Sequence, residues 1–277
     1  MRGYFSWTPG SVPKTDKPEP QKGLNTKIMR EIDKNSFLQL TDVKRFINYL
    51  KIEFNDPTRY EKTLQDYCWP ENSKGLNFED TYKMIINLRN EFQNSLANKD
   101  QQRTSELCET ILKWGGVGVA KANINKINEM KDRGIFLDTL ISARNVIQSG
   151  KIEKDKISFP ANSGFSKIYA CLSENFIIYD SRVAARMCFL ISECFKKNNP
   201  FSLGIPDYQA KGNRNPGHEF PKLRRNSQKY FESNTKASWI IEELAIQNPN
   251  DNFPKEKLMF AYQTVFFVFG KSIPLAE

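Results

Sequence analysis

The sequence carries a single histidine, His218, in 277 residues. A Ser-His-Asp triad needs a histidine beside its nucleophile, and zinc sites and His-metal nucleases need several. One histidine in a polar loop removes most of that chemistry. Cysteine is scarce as well. Cys68, Cys108, Cys171, Cys188 and Cys194 form no CxxC pair, and their number is odd. No four-cysteine iron–sulfur spacing exists, and the pattern fits a reduced intracellular protein with buried thiols. No metal and no cofactor is expected. Catalysis, if present, must rest on carboxylates, lysine, hydroxyls or backbone groups.

Long apolar runs are missing too. None approaches the roughly 18 residues of a membrane span. The longest late stretch, 260–269, is interrupted by Tyr262, Gln263 and Thr264 and reads as a buried helix. The N-terminus, MRGYFSWTPGSVPK, lacks the apolar core of a secretory signal. No membrane partner is expected, and a cytoplasmic, monomeric protein is. Strand alternation is nearly absent. From Leu24 onward helical periodicity dominates, so the fold class expected is all-α. Residues 1–23, rich in Pro, Gly and Lys, read as a flexible arm. Residues 24–277 read as one large helical domain, built as one body or as two helical lobes.

The periodicity predicts helices around Ile28 and Ile32, over 43–50, from Pro57 to about Trp69, and over 78–96. It predicts others from Leu107 to a stop at Gly115-Gly116, and over 124–130, 136–147, 165–172, 181–195, 237–244 and 255–269. Residues 198–234 read as a long polar loop, a length that is usually functional or disordered.

What the chain has in excess is positive charge. Lys and Arg number 41 against 32 Asp and Glu, a net charge of +9 and a pI near 9.2. Such a balance favours polyanionic partners, nucleic acid first. The densest basic patch lies in the 198–234 loop: Lys211, Arg214, Lys222, Arg224 and Arg225, interleaved with Asn213, Asn215 and Tyr230. It is a candidate for phosphate contact, and the same composition also describes a solvated charged loop. His218, in NPGHEF of that loop, is either a plain surface histidine or a base or phosphate contact.

One stretch carries a chemical pattern: SGFSKIYACLSENFIIYDSRVAARM, residues 163–187. Ser163 can cap a helix carrying Lys167. FIIY is a short extended apolar piece. Asp180 then stands where an N-cap belongs, ahead of a helix whose Val183, Met187 and Leu190 give a buried stripe. Taken alone, Asp180 caps its helix, at about 0.5–2 kcal/mol, and Lys167 is a surface lysine.

The same segment resembles the catalytic part of the helix-hairpin-helix DNA glycosylases. These all-α proteins have a hairpin and a lysine at the start of its second helix. A turn follows, and then an essential aspartate capping the next helix. Asp180, Val183 and Arg186 match the aspartate and the residues after it, and Lys167 matches the lysine. The pattern is similar in particular to bacterial members with an IYDSRV sequence, some of which are thought to remove modified bases from phage DNA. The resemblance covers roughly a tenth of the chain. Two details depart from the family. The hairpin reads Ser-Gly-Phe-Ser before the lysine, and the thirteen positions (180 − 167) between lysine and aspartate are fewer than usual. A second stretch, GGVGVAKAN at 115–123, looks more like the family hairpin. Its Lys121 lies 59 positions (180 − 121) before Asp180, too far for the role, and Trp114-Gly115-Gly116 reads as a helix stop with an aromatic anchor.

The resemblance implies double-stranded DNA as partner and hydrolysis of an N-glycosidic bond after base flipping. The targets it leaves open are damaged bases, mismatched bases and hypermodified phage cytosine. It makes Asp180 the catalytic carboxylate. Lys167 becomes an optional amine nucleophile, in an enzyme expected to be mainly monofunctional. Gly164, Ser166 and Arg182 become candidate DNA contacts, and Trp114, Phe165, Tyr169, Tyr179 and Trp239 candidate pocket walls. Each aromatic is equally a core residue. Two other readings stay open: a DNA-binding helical protein without chemistry, and a structural or partner-binding one.

Overall fold

The computed structural model describes residues 31–55, 57–70, 75–206, 217–223, 226–251 and 253–276. The 1–23 arm lies outside them, as do Lys211, Asn213, Arg214, Asn215, Arg224 and Arg225 of the basic loop.

Side-chain caps start six of the described helices. Asp33, Asn77, Asp100, Asn162, Asp180 and Asn226 each accept a backbone N–H of the helix they precede. Such caps satisfy donors that the helix cannot satisfy itself. Asp33 opens α1 (Lys34–Gln39), which runs into α2 (Thr41–Glu53); α3 (Pro57–Gln65) follows. Asn77 and Asp100 open α4 (Phe78–Ala97) and α5 (Gln101–Trp114). After Gly115 and Gly116 come α6 (Val117–Asp132) and α7 (Phe136–Gln148). Asn162, Asp180 and Asn226 open α8 (Ser163–Ala170), α9 (Ser181–Phe195) and α10 (Ser227–Gln247), and α11 (Lys255–Phe269) completes the series.

All-α holds with one small addition. The strands β1 (Glu31–Asp33) and β2 (Lys151–Glu153) pair antiparallel, with Ile32 opposite Ile152. Ile32, expected on a helix, is therefore a strand residue. Two further corrections concern lengths. The third helix ends at Gln65, and Trp69 instead bridges to Leu76. The last part of the 198–234 loop is helical, because α10 begins at Ser227 and buries Tyr230 and Phe231. The base of that loop is clipped shut. Ile205 N–H donates to Pro221 O and Leu223 N–H to Ile205 O, both at 2.8 Å, with Lys222 between them.

The buried residues form one apolar cluster from Phe37 to Ile273. Helix α9 lies within it, with Val183, Ala184, Met187, Cys188 and Ile191 all at 1% exposure or less. Four of the five cysteines are buried thiols, and Cys68 is exposed. No helix among the described residues is long and apolar enough to cross a membrane.

Helix α11 ends against the start of α9. A Cβ at Gly270 would fall well inside 3.0 Å of the Arg182 carbonyl, which is backbone and cannot swing aside. The glycine is there for this close approach, since its φ of −75° is open to any residue. Gly270→Ala is expected to destabilise the fold by about 1–3 kcal/mol, as overpacking does. A lowered urea midpoint with unchanged m-value checks it; an unchanged midpoint would show that the two helices can part freely.

Candidate active site

FIIY, residues 176–179, crosses the core extended and almost fully buried, at 0–6% exposure. It has no strand partner among the described residues, so its backbone groups need other acceptors and donors. Side chains from α10 and α11 supply them. Ile177 N–H donates to Ser238 Oγ at 3.1 Å and Ile178 N–H to Gln263 Oε1 at 2.6 Å. The Tyr230 hydroxyl donates to the Tyr179 carbonyl. The Tyr179 hydroxyl donates to Gly204 O at 3.0 Å, which ties this segment to the clipped base of the basic loop.

Asp180 follows directly. Its Oδ1 accepts the N–H groups of Arg182 at 2.9 Å and Val183 at 3.1 Å. Both bonds fall on the same oxygen; among the described residues Oδ2 accepts none. The carboxylate therefore caps α9 with one oxygen and presents the other. Its charge sits at the positive end of the α9 dipole, a stabilising placement for an anion.

Lys167 lies on α8. Asn162 Oδ1 caps that helix through the Gly164 and Phe165 N–H groups, at 2.8 and 3.1 Å. Lys167 is 7% exposed, and its Nζ donates to Ser163 O at 2.9 Å. Room for its stem comes from Gly115, at the end of α5. A Cβ there would lie 2.6 Å from Lys167 Cε and closer still to Cδ. Burial pushes the amine's pKa below its ordinary 10.5, and the Asp180 charge partly opposes the shift.

The two residues line one cavity, in which Tyr67, Trp69, Trp114, Phe260 and Phe267 supply five aromatic walls. Ile178, Val183, Gln263 and Thr264 complete it. Lys167 and Asp180 form no ion pair within 4.0 Å, so the carboxylate is not neutralised by direct contact. Trp69 closes one side. Its Nε1–H donates to Trp114 O at 3.0 Å, and its ring meets Phe267 edge-on at 5.1 Å. The Arg182 guanidinium lies over both rings, at 5.4 and 4.5 Å. Trp114 Nε1 is a buried donor without a hydrogen-bond partner among the described residues. Burial holds the Tyr67 phenol well above its ordinary pKa, and the Asp180 charge adds to this.

The free volume of this cavity is about 30 Å³, room for one or two water molecules. A roomier cleft of about 460 Å³ lies elsewhere, around Glu242. Its carboxylate is matched by Lys34 at 2.6 Å and Lys255 at 3.2 Å, the arrangement of a structural ion pair. The smaller cavity is the chemical candidate because its carboxylate and amine are not so matched.

The structure thus brings together Asp180, Lys167 and Trp114, with Arg182 against the aromatic wall. Among the described residues, the other candidates lie apart from this cavity. Phe165, Tyr169 and Tyr179 are at 0–1% exposure and do not line the cavity, because their rings pack in the core. Tyr169 lies against Phe159, Phe165 and Phe231, and its hydroxyl donates to Pro160 O. Trp239 packs on Phe37. Gly164 and Ser166 are buried, and their N–H groups are already taken, by Asn162 Oδ1 and Asn162 O at 2.8 Å each. They offer no amide to a phosphate in this conformation. His218 stacks on Phe220 at 4.7 Å and bonds Pro274 O at 2.8 Å through Nε2, away from the cavity. Tyr230 is a core residue and not part of a basic loop surface.

Tyr67, Trp69, Phe260, Gln263, Thr264 and Phe267 are lining residues that the sequence reading missed. A signal existed for four of them. Phe260, Gln263, Thr264 and Phe267 fall at i, i+3, i+4 and i+7, one face of a helix, and a glutamine in a buried helix implies a partner.

Compared with protein families, curated proteins and solved structures, the chain matches none.

The buried amine makes a prediction about pH. Because its folded pKa is lowered, the unfolded chain binds more protons between that value and 10.5, and stability rises with pH across that window. Below it both states are protonated, and burying the ammonium opposes folding. Lys167→Met is therefore expected to be more stable than wild type near pH 7, with the difference shrinking toward about pH 10. Urea midpoints of both proteins at the two pH values check this; a difference independent of pH would mean that the amine titrates normally.

Proposed function

We propose that the protein is a DNA glycosylase: it flips a damaged or modified base out of double-stranded DNA and hydrolyses its N-glycosidic bond. The observation that carries this reading is the meeting of Asp180 and Lys167 in one aromatic-walled cavity, with one carboxylate oxygen capping α9 and the other presented.

Breaking an N-glycosidic bond builds positive charge on the deoxyribose. A fixed carboxylate aimed at C1′ stabilises that charge, and it can orient or deprotonate the attacking water. Asp180 suits both tasks because its cap bonds fix its direction before substrate arrives. The aromatic rings offer faces on which a planar base can stack. The net charge of +9 supplies attraction to the phosphates. In this reading Lys167 positions the carboxylate or the sugar, since its Nζ is held by Ser163 O. The route is hydrolytic, ending in an abasic site.

The cavity is small, at about 30 Å³, whereas ligand pockets run to roughly 300–1,000 Å³. Accepting a base requires its aromatic walls to part. This small size is the observation favouring the second reading, a helical protein that binds DNA and leaves it intact.

The test compares wild type with Asp180→Asn on duplexes carrying modified bases, glucosylated hydroxymethylcytosine among them. Alkali-induced strand breaks measure base loss. The variant is expected to lose on the order of 10²-fold or more in rate while still binding DNA, as when a transition-state electrostatic partner is removed. Near-normal turnover by a folded Asp180→Asn protein would reject Asp180 as the catalytic group. Borohydride trapping in the same reactions is expected to give no covalent adduct; an adduct lost in Lys167→Gln would make the lysine the nucleophile.

A further inference from the structure

We propose that the Tyr230 hydroxyl is a brace that sets the geometry between the Lys167 amine and the Asp180 carboxylate. The inference rests on the reading of these two groups as an acting pair. Tyr230 stands in the first turn of α10 and is 4% exposed. Its hydroxyl donates to the Tyr179 carbonyl and lies 3.2 Å from Ser163 Oγ. A phenol has one proton, and a carbonyl can only accept, so the contact with Ser163 runs from the serine to the phenol oxygen. The ring itself packs edge-on against Tyr179, with centroids 6.1 Å apart.

Both contacts land one step from the candidate chemistry. Ser163 carries the carbonyl that takes Lys167 Nζ at 2.9 Å. Tyr179 is the residue before Asp180. The amine and the carboxylate stand on different elements, joined by a turn over 171–175 and an extended run. Outside the chain connection, one hydroxyl links the residue that holds the first to the residue that precedes the second. Tyr230 does not line the cavity, so it touches no reacting atom and is a positioning residue. Misplacement by about 1 Å from outside a site can lower a rate by roughly 10²-fold, which is the scale at which such a brace matters.

The readout is the electrical coupling of the pair. The titratable groups facing Lys167 in the cavity are Asp180 and Tyr67; α5 and α11 contribute Trp114, Phe260, Gln263, Thr264 and Phe267, none of which titrates near neutrality. The Lys167 amine can be titrated by NMR in protein carrying ¹³C at the lysine Cε, with Lys167→Gln assigning the signal. In the wild-type background Asp180→Asn is expected to lower the Lys167 midpoint, because the carboxylate favours the ammonium. In Tyr230→Phe, which keeps the ring and loses the hydroxyl, the same replacement is expected to move the midpoint by less than about half as much, the signature of a broken coupling in a double-mutant cycle. Ser163→Ala cuts the brace from its other end and is expected to shrink the shift likewise, so the result does not hang on one variant folding well. A full-sized shift in both variants, or no shift with Asp180→Asn in the wild-type background, would overturn the proposal. A role in stability alone would lower the urea midpoint and leave the coupling whole.

Base release followed in parallel separates this inference from the functional one. Intact coupling lost in Tyr230→Phe, with base release absent from every protein, would leave the brace standing and remove the glycosylase. Full coupling and normal base release in Tyr230→Phe would do the reverse.

Discussion

The site depends on one constraint: an extended, buried tetrapeptide has to find hydrogen-bond partners without a sheet. FIIY finds them on Ser238, Gln263 and Tyr230, from two helices that lie far along the chain. Leaving a buried N–H unsatisfied costs about 1–3 kcal/mol. Helices α10 and α11 are thereby locked to the segment that delivers Asp180. The carboxylate emerges from an edge held by side chains of both helices. The same glutamine that accepts the Ile178 N–H lines the cavity, so the support and the wall are one residue.

The second half of the site is made by the absence of a side chain. Gly115 ends α5 and leaves space for the Lys167 stem. In the sequence this position belongs to GGVGVAKAN, a stretch that looks like the family hairpin and reads as a helix stop. In the fold the stop turns the chain beside Lys167, and Trp114 just before it both lines the cavity and holds the Trp69 indole through its carbonyl. A desolvated amine and a presented carboxylate can then share a small volume without collapsing into a salt bridge, which would quench both.

Much of the helical framework was legible because helix caps and apolar stripes are local. Asp180 ahead of Val183, Met187 and Leu190 marks α9 to the residue, and the apolar run over 255–269 marks α11. Ile32 was misread because a three-residue strand has no period, and its partner lies 120 residues away (152 − 32). The start of α10 at Ser227 was hidden by the polar loop before it. The pairing of Lys167 with Asp180 was legible only through a motif. The aromatic walls were not, since a tyrosine facing a cavity and one facing the core look alike in sequence. Tyr169 and Tyr179 proved to be core, while Tyr67 and Trp69 lie past the end of α3, in a connection that the sequence reads as helix. Charge placement stayed similarly out of reach: composition gives +9 without saying where it faces.

The claim that this cavity breaks N-glycosidic bonds is tested most directly by looking for the product. The wild-type protein is incubated with a panel of duplexes, each carrying one damaged or modified base, and the supernatant is analysed by mass spectrometry. The account predicts a free base from at least one duplex, in a one-to-one ratio with alkali-labile sites in the DNA. Salt-sensitive binding to every duplex, with no base released from any, would contradict it.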